Sequence, residues 1–289
     1  MSEFSNLPPR RQEQLMAFNR LLTIMDELRE QCPWDRKQTL DSLRHLTIEE
    51  TYELSDAILE GDLTEIKKEL GDIQLHLVFY AKIASERAVD DPAPGSSAGF
   101  DMADVLHSIS EKLISRHPHI YANANGERVK ADTEAEVKAN WEQLKLKEGN
   151  KSVLGGVPGS LPALVKAMRI QEKARGAGFD WEEKQQVWEK VEEEMQEFKN
   201  EFNCGDGPGE IGEVIDLKKA EGEFGDLLFS LVNYARFIEI NPETALERTN
   251  KKFIKRFQYL EERAKANGQQ LHNMTLAEMD VYWNEAKNK

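Results

Sequence analysis

The chain has 289 residues, 39% of them hydrophobic, with 53 acidic against 38 basic side chains and a formal net charge of -15. That length suits two domains of about 100 to 150 residues, and the acidity opposes nonspecific attraction to nucleic acid or an anionic membrane, so neither is expected as a partner. No apolar run approaches the roughly 18 residues of a membrane span, and the opening MSEFSNLPPRRQEQ lacks a signal-peptide core, which together point to the cytoplasm. Cys32 and Cys204 lie far apart, outside any metal-ligand spacing, as reduced thiols would.

Along the chain, helical spacing recurs and alternating β-branched runs hardly appear, which predicts an all-helical fold. Glu49, Glu50 and Glu53 open an acidic stretch that continues to Glu69 and Asp72. Past Glu69, an apolar stripe through Leu70, Ile73, Leu77, Ala81 and Ala84 predicts a core-facing helix. DDPAPGSSAGFD, Asp90 to Asp101, reads as a flexible connection, and LGGVPGSLPAL, Leu154 to Leu164, as the domain boundary, giving modules at 1–150 and 151–289. In the second half EEMQE, Glu193 to Glu197, precedes the interruption CGDGPGEIG, Cys204 to Gly212, and then EFGD, Glu223 to Asp226. Stripes from Leu227 through Leu231 to Ala235 and Ile238, and from Phe253 through Phe257 to Leu260, complete the helical pattern.

The halves repeat one another. IKKELGDIQLHLVFYAKIA from Ile66 aligns with KKAEGEFGDLLFSLVNYARFI from Lys218, so that Glu69, Gly71 and Asp72 match Glu223, Gly225 and Asp226. Upstream, Glu49, Glu50 and Glu53 match Glu193, Glu194 and Glu197, and CPWD and GFDW precede the two sets. Two copies of one helical module explain this order.

Carboxylates three apart share a helix face, so Glu50 with Glu53, and Glu69 with Asp72, project together. If the two helices pack, four or five like charges converge and require compensation. A divalent cation that prefers oxygen is the natural compensator, and Mg²⁺ leaves room for substrate phosphates. A single EExxE is commonly a solvated face; its recurrence, twice and in the same order, favours metal. A di-iron bundle would want Glu-x-x-His pairs, and none of the six histidines has Glu three positions before it. No Walker-type phosphate loop appears either.

With these motifs, and with LLTIMDELREQCPWDRKQTL, SRHPHIYA, GSLPALVKAMRIQEKA and NKKFIKRF flanking them, the sequence resembles the MazG family of nucleoside triphosphate pyrophosphohydrolases over nearly its whole length. The resemblance implies an all-α fold of two tandem MazG-like bundles, Mg²⁺ as cofactor, a homodimer, and hydrolysis of NTPs to NMP and pyrophosphate. It implies Glu194, Glu197, Glu223 and Asp226 as metal ligands in the second module, and Glu50, Glu53, Glu69 and Asp72 at the matching positions of the first. Glu193, beside Glu194 and Glu197 in the catalytic helix, would bind metal-nucleotide or orient water. Lys252 and Arg256, four apart, would meet the triphosphate, and Trp283 the nucleotide, with Trp141 as a possible counterpart. Lys112 and Arg116 repeat the basic spacing in the first module.

The copies differ. Glu223, Asp226, Ser230 and Asn233 follow one face in the second, a polar strip able to reach a sugar or base, whereas the first has Glu69, Asp72, His76 and Phe79. Catalysis is therefore expected in the second module, in agreement with the resemblance. All five acids and a Lys/Arg pair persist in the first, so activity there stays open. The rival class is a helical dimeric binding or regulatory protein with vestigial metal sites.

Overall fold

The structure, a computed structural model, describes residues 6–86, 99–122, 126, 128–131, 133, 136–137, 152–204 and 211–287. Trp141, most of the Asp90–Asp101 connection and much of the Cys204–Gly212 segment lie outside the described residues. The chain divides into two compact units, Met1–Lys130 and Ala131–Lys289, and nine α-helices occur among the described residues.

The first unit holds α1 (Pro9–Gln31), α2 (Leu40–Glu60), α3 (Leu63–Ser85) and α4 (Met102–Arg116). Helix α2 starts at a capping box, in which Thr39 accepts from the Ser42 amide and Ser42 accepts from the Thr39 amide. It ends at Gly61, whose φ of 71° lies in the left-handed region that a Cβ disfavours. Asp62 follows at once and caps α3 through the amides of Thr64 and Glu65. Two residues thus turn the chain back, and α3 packs along α2 as a helical hairpin. Met25, Leu43, Val78, Phe79, Ala81 and Met102 form the core, one or more from each helix. Helix α4 stops at His117, which caps it with its ring Nδ1 2.6 Å from the Leu113 carbonyl.

The second unit holds α5 (Ala163–Gly176), α6 (Lys184–Asn200), α7 (Leu217–Phe237), α8 (Pro242–Ala266) and α9 (Leu276–Ala286). Between α6 and α7 lies a short antiparallel ribbon, β1 (Phe202–Cys204) with β2 (Ile211–Val214), Phe202 opposite Val214 and Cys204 opposite Ile211. These are the two strands among the described residues, and they flank the Gly-rich interruption seen in the sequence. Asp216 caps α7 through the Lys218 and Lys219 amides. Helices α6 and α7 make the unit's most extensive packing, with Val187 and Val191 buried on α6 and Ala220, Leu227 and Val232 buried on α7.

The predicted stripes need correction. In α3, Ala81 and Ala84 are buried, but Leu70 and Leu77 are 52% and 48% exposed; the buried face runs through Glu69, His76 and Phe79 instead. In α7, Leu227 is buried while Leu231 and Ile238 are exposed, and in α8 Leu260 is buried while Phe253 and Phe257 are exposed. Each helix carries apolar residues around more than one face, and hydrophobic period alone cannot say which face meets the neighbouring helix of the same chain. Trp34 and Trp181 are 56% and 39% exposed. No helix among the described residues is long and apolar enough to cross a membrane.

Candidate metal centres

In each unit the site lies between the paired acidic helices. In the first, ligand atoms of Glu50 from α2 and of Glu69 and Asp72 from α3 all lie within 4.8 Å of one another. In the second, Glu194 and Glu197 from α6 meet Glu223 from α7 within the same distance. The helical spacing puts each pair on one face, and hairpin-like packing brings the two faces together. Glu53 and Asp226, expected in these sets, stand outside the closest groups. Both remain near enough for their charges to raise the carboxyl pKa of Glu50 and of Glu223, respectively.

The electrostatics are those of crowded acids. Glu50 titrates above its ordinary value, first because burial disfavours its charge and then because Asp72, Glu53 and Glu69 repel it. Glu223 is raised in the same way, by desolvation and then by Glu197, Asp226, Glu194 and Glu201. Glu201, at the end of α6, was not anticipated. One carboxylate in each group is buried, Glu69 at 3% and Glu194 at 7% exposure, and Glu69 Oε2 has no hydrogen-bond partner.

A lysine sits against each buried acid. The Lys68 ammonium donates to Glu69 at 2.9 Å, and Lys190 donates to Glu194 at 2.8 Å and Glu193 at 2.9 Å. Hydrogen bonds to these acids raise both lysine pKa values. Neither lysine was singled out in the sequence, although Lys190 precedes Glu194 by one turn and could have been found from that spacing. Glu193 itself is mostly exposed and engaged with Lys190.

On α8, Lys252 is exposed and one turn before Arg256. Arg256 places its guanidinium 5.9 Å from the Trp283 ring, and Trp283 packs on Phe253 with centroids 5.0 Å apart. Arg256 and Trp283 are thereby brought together. Lys112 is exposed on α4.

The polar strip of α7 is also present. Ser230 and Asn233 are buried, the Ser230 hydroxyl donating to the Leu227 carbonyl at 2.8 Å. Asn233 Oδ1 accepts from Arg236 Nε at 3.1 Å and Nη2 at 2.9 Å. Arg236 in turn forms a bidentate pair with Asp180, 56 residues away. In the first unit Phe79 fills the matching position, 2% exposed in the core, with the Arg29 guanidinium 5.7 Å from its ring.

Comparison with known proteins agrees with this architecture. The family model described as the MazG nucleotide pyrophosphohydrolase domain matches residues 38–121. The chain is 40% identical over 277 residues to the nucleoside triphosphate pyrophosphohydrolase/pyrophosphatase MazG of Thermotoga maritima, covering 94% of this chain and 96% of that one. It is 38% identical over 278 residues to the nucleoside triphosphate pyrophosphohydrolase of Escherichia coli, covering 94% and 97%. An uncharacterised protein of Bacillus subtilis, YabN, shares 44% over 288 residues, covering 97% of this chain and 54% of its own length. With paired acidic helices in both units and such likeness along nearly its whole length, the chain belongs to the MazG nucleotide pyrophosphohydrolase family.

Proposed function

We propose that this chain is a Mg²⁺-dependent nucleoside triphosphate pyrophosphohydrolase of broad base range, converting NTP and water to NMP and pyrophosphate in its second module. The observation that carries this is the convergence of Glu194, Glu197 and Glu223 between α6 and α7, in a chain whose relatives of nearly full-length match are named for that reaction. The modules are taken as 1–150 and 151–289, divided at the Gly- and Pro-rich stretch after residue 150.

The residues fit a hard divalent ion. The converging donors are all carboxylate oxygens, Glu69 keeps a buried oxygen without a partner, and lysine ammoniums already supply cationic charge beside Glu69 and Glu194. Glu194, Glu197 and Glu223 would hold it in the second module with Asp226 adjoining; Glu50, Glu69 and Asp72 would do so in the first with Glu53 adjoining. When bound, such an ion neutralises phosphate charge and acidifies a water molecule. Glu193, outside the converging set and solvent-reachable, would orient the attacking water and take up its proton. Lys252 and Arg256 attract the triphosphate and stabilise charge that builds on the leaving pyrophosphate. Trp283 stacks on the base, and Asn233 contacts its edge.

The chain acts as a homodimer. Val105, Leu106, Ile109 and Leu113 on α4, and Leu246, Phe253, Ile254 and Phe257 on α8, are exposed apolar residues at helical spacing, and a second copy covering them removes that surface from water. Sedimentation of the wild type against Ile109→Glu checks this: a monomeric wild type overturns it.

For the first module a binding or regulatory role is the second reading, favoured by Phe79, which closes the position where the other module presents an amide. The deciding experiment incubates the protein with Mg²⁺ and each NTP and resolves NMP, NDP, phosphate and pyrophosphate. NMP with pyrophosphate, abolished by Glu194→Gln, supports the reading; NDP with phosphate, or no turnover, overturns it.

A further inference from the structure

We infer that His76 makes the first unit's cluster a mixed oxygen and nitrogen centre, which takes a borderline first-row ion of the Zn²⁺ type in preference to Mg²⁺; this rests on the reading of Glu50, Glu69 and Asp72 as a metal centre. His76 is 7% exposed, and its Nδ1 is buried with no hydrogen-bond partner. Glu69, seven residues earlier on α3, is 3% exposed and leaves Oε2 in the same condition. Buried polar atoms are normally paired. A carboxylate oxygen and an unprotonated ring nitrogen both offer lone pairs, and a divalent cation accepts both.

The helix sets the two unpartnered groups on either side of Asp72. Glu69, Asp72 and His76 follow one another at three- and four-residue steps along α3, which keeps them on one face, and the Asp72 charge reaches the His76 ring. Side chains four apart on a helix can grip one ion, as the two histidines of an H-E-x-x-H helix do. The ring stands outside the closest group of Glu50, Glu69 and Asp72, one turn or about 6 Å along the helix from Asp72, and the ion draws it in as a fourth ligand. In the second unit Ser230 holds the matching position, its hydroxyl hydrogen given to the Leu227 carbonyl, so that cluster offers oxygen alone. Oxygen donors suit Mg²⁺, whereas imidazole suits Zn²⁺ and its first-row neighbours. The acids recur in both copies, and the residue four beyond the last of them sets the ion.

The test measures binding rather than turnover, in the full chain. Carboxylate and imidazole centres alike bind Zn²⁺ more tightly than Mg²⁺, so the two clusters are compared with each other. Calorimetric titration of the double variant Glu194→Gln, Glu223→Gln with each ion reports the first cluster, and titration of Glu50→Gln, Glu69→Gln reports the second. The ratio of Zn²⁺ to Mg²⁺ affinity is expected to be at least about tenfold greater in the first, since even residues outside the ligand shell are worth about 10- to 100-fold. Adding His76→Ser, which installs the hydroxyl of the other copy, removes that excess and leaves Mg²⁺ affinity unchanged. In nitrogen-15 histidine NMR spectra of the wild type, the Nδ1 signal that is missing from His76→Ser moves on adding Zn²⁺ to the range of a metal-bound imidazole. Equal ratios in the two clusters, or a His76 signal unmoved by saturating Zn²⁺, overturns the inference and leaves the first cluster a carboxylate centre. Absence of binding of either ion to Glu194→Gln, Glu223→Gln overturns the metal reading of the first unit as well. If His76→Ser fails to fold by circular dichroism, His76→Gln and the wild-type spectrum decide the matter.

Discussion

The two carboxylate clusters are built from equivalent helix pairs yet compensate their buried charge differently. In the first unit the buried acid is Glu69, on the second helix of the pair, and its lysine is the adjacent Lys68. In the second it is Glu194, on the first helix, and Lys190 arrives from one turn earlier to bridge it with Glu193. The positions beyond the acids diverge further: one unit ends its strip in Phe79, packed in the core, and the other in Asn233, held by Arg236 and Asp180. The same backbone module can thus keep a carboxylate cluster while losing or keeping a polar floor beside it. The units differ in this second set of residues more than in the acids.

The sharpest way to break this comparison is paired substitution. Glu194→Gln is expected to lower NTP turnover by about 10²-fold or more, whereas Glu50→Gln leaves it within about twofold; equal losses, read as pyrophosphate release, would show that both units share the chemistry. Next in size, Arg236→Gln removes a bidentate pair whose side chains are 15% and 20% exposed. It should cost about 2 to 3 kcal/mol of the second unit's stability, seen as a lower denaturant midpoint. Matching Arg29→Gln in the first unit frees Glu86, whose carboxyl pKa is now depressed by its hydrogen bond to Arg29. The stability that pair gives is present above the ordinary carboxyl value and lost as pH falls through the depressed one, so the variant should flatten the acid limb of the unfolding curve.

Smaller effects sharpen the two modes of compensation. Lys190→Met should destabilise the metal-free second unit by about 1 kcal/mol or less, since the ammonium is 37% exposed and screened. It should also enlarge the rise in melting temperature on adding Mg²⁺, because no built-in cation must leave; an unchanged Mg²⁺ increment would break that account. Smallest is the titration of Glu50. Its folded pKa is raised, so the associated stability is complete below the ordinary carboxyl value and is lost as pH climbs through the raised one. Metal-free Glu50→Gln should therefore be more stable than wild type at pH 7, a difference that melting curves should show shrinking to nothing at acid pH.

Much of the site was legible before any coordinates. Three-residue spacing put Glu50 with Glu53 and Glu69 with Asp72 on shared helix faces, the repeat matched them to Glu194, Glu197, Glu223 and Asp226, and the family resemblance alone assigned them as metal ligands; the structure brings together Glu50, Glu69 and Asp72, and Glu194, Glu197 and Glu223. The all-helical fold followed from periodicity, with the β1–β2 ribbon too short and Gly-rich to signal itself. Which apolar face turns inward was not legible: Leu70 and Leu77 lie beside Glu69 and His76 on the helix, and only packing against α2 selected the latter. Lys190 was readable from its spacing and overlooked, while Glu53 and Asp226 were assigned by pattern and lie just outside the closest sets.

By itself the sequence determined what depends on separations of a few residues: helices, caps such as Asp62 and Asp216, the doubled acidic faces and the charge they accumulate. Tertiary structure decided what depends on residues distant in the chain. The grip of Asp180 on Arg236 spans 56 positions, and it fixes the guanidinium that donates to the oxygen of Asn233. Local spacing is encoded in backbone geometry that every helix shares, whereas a long-range contact exists only once the packed helices have chosen their faces.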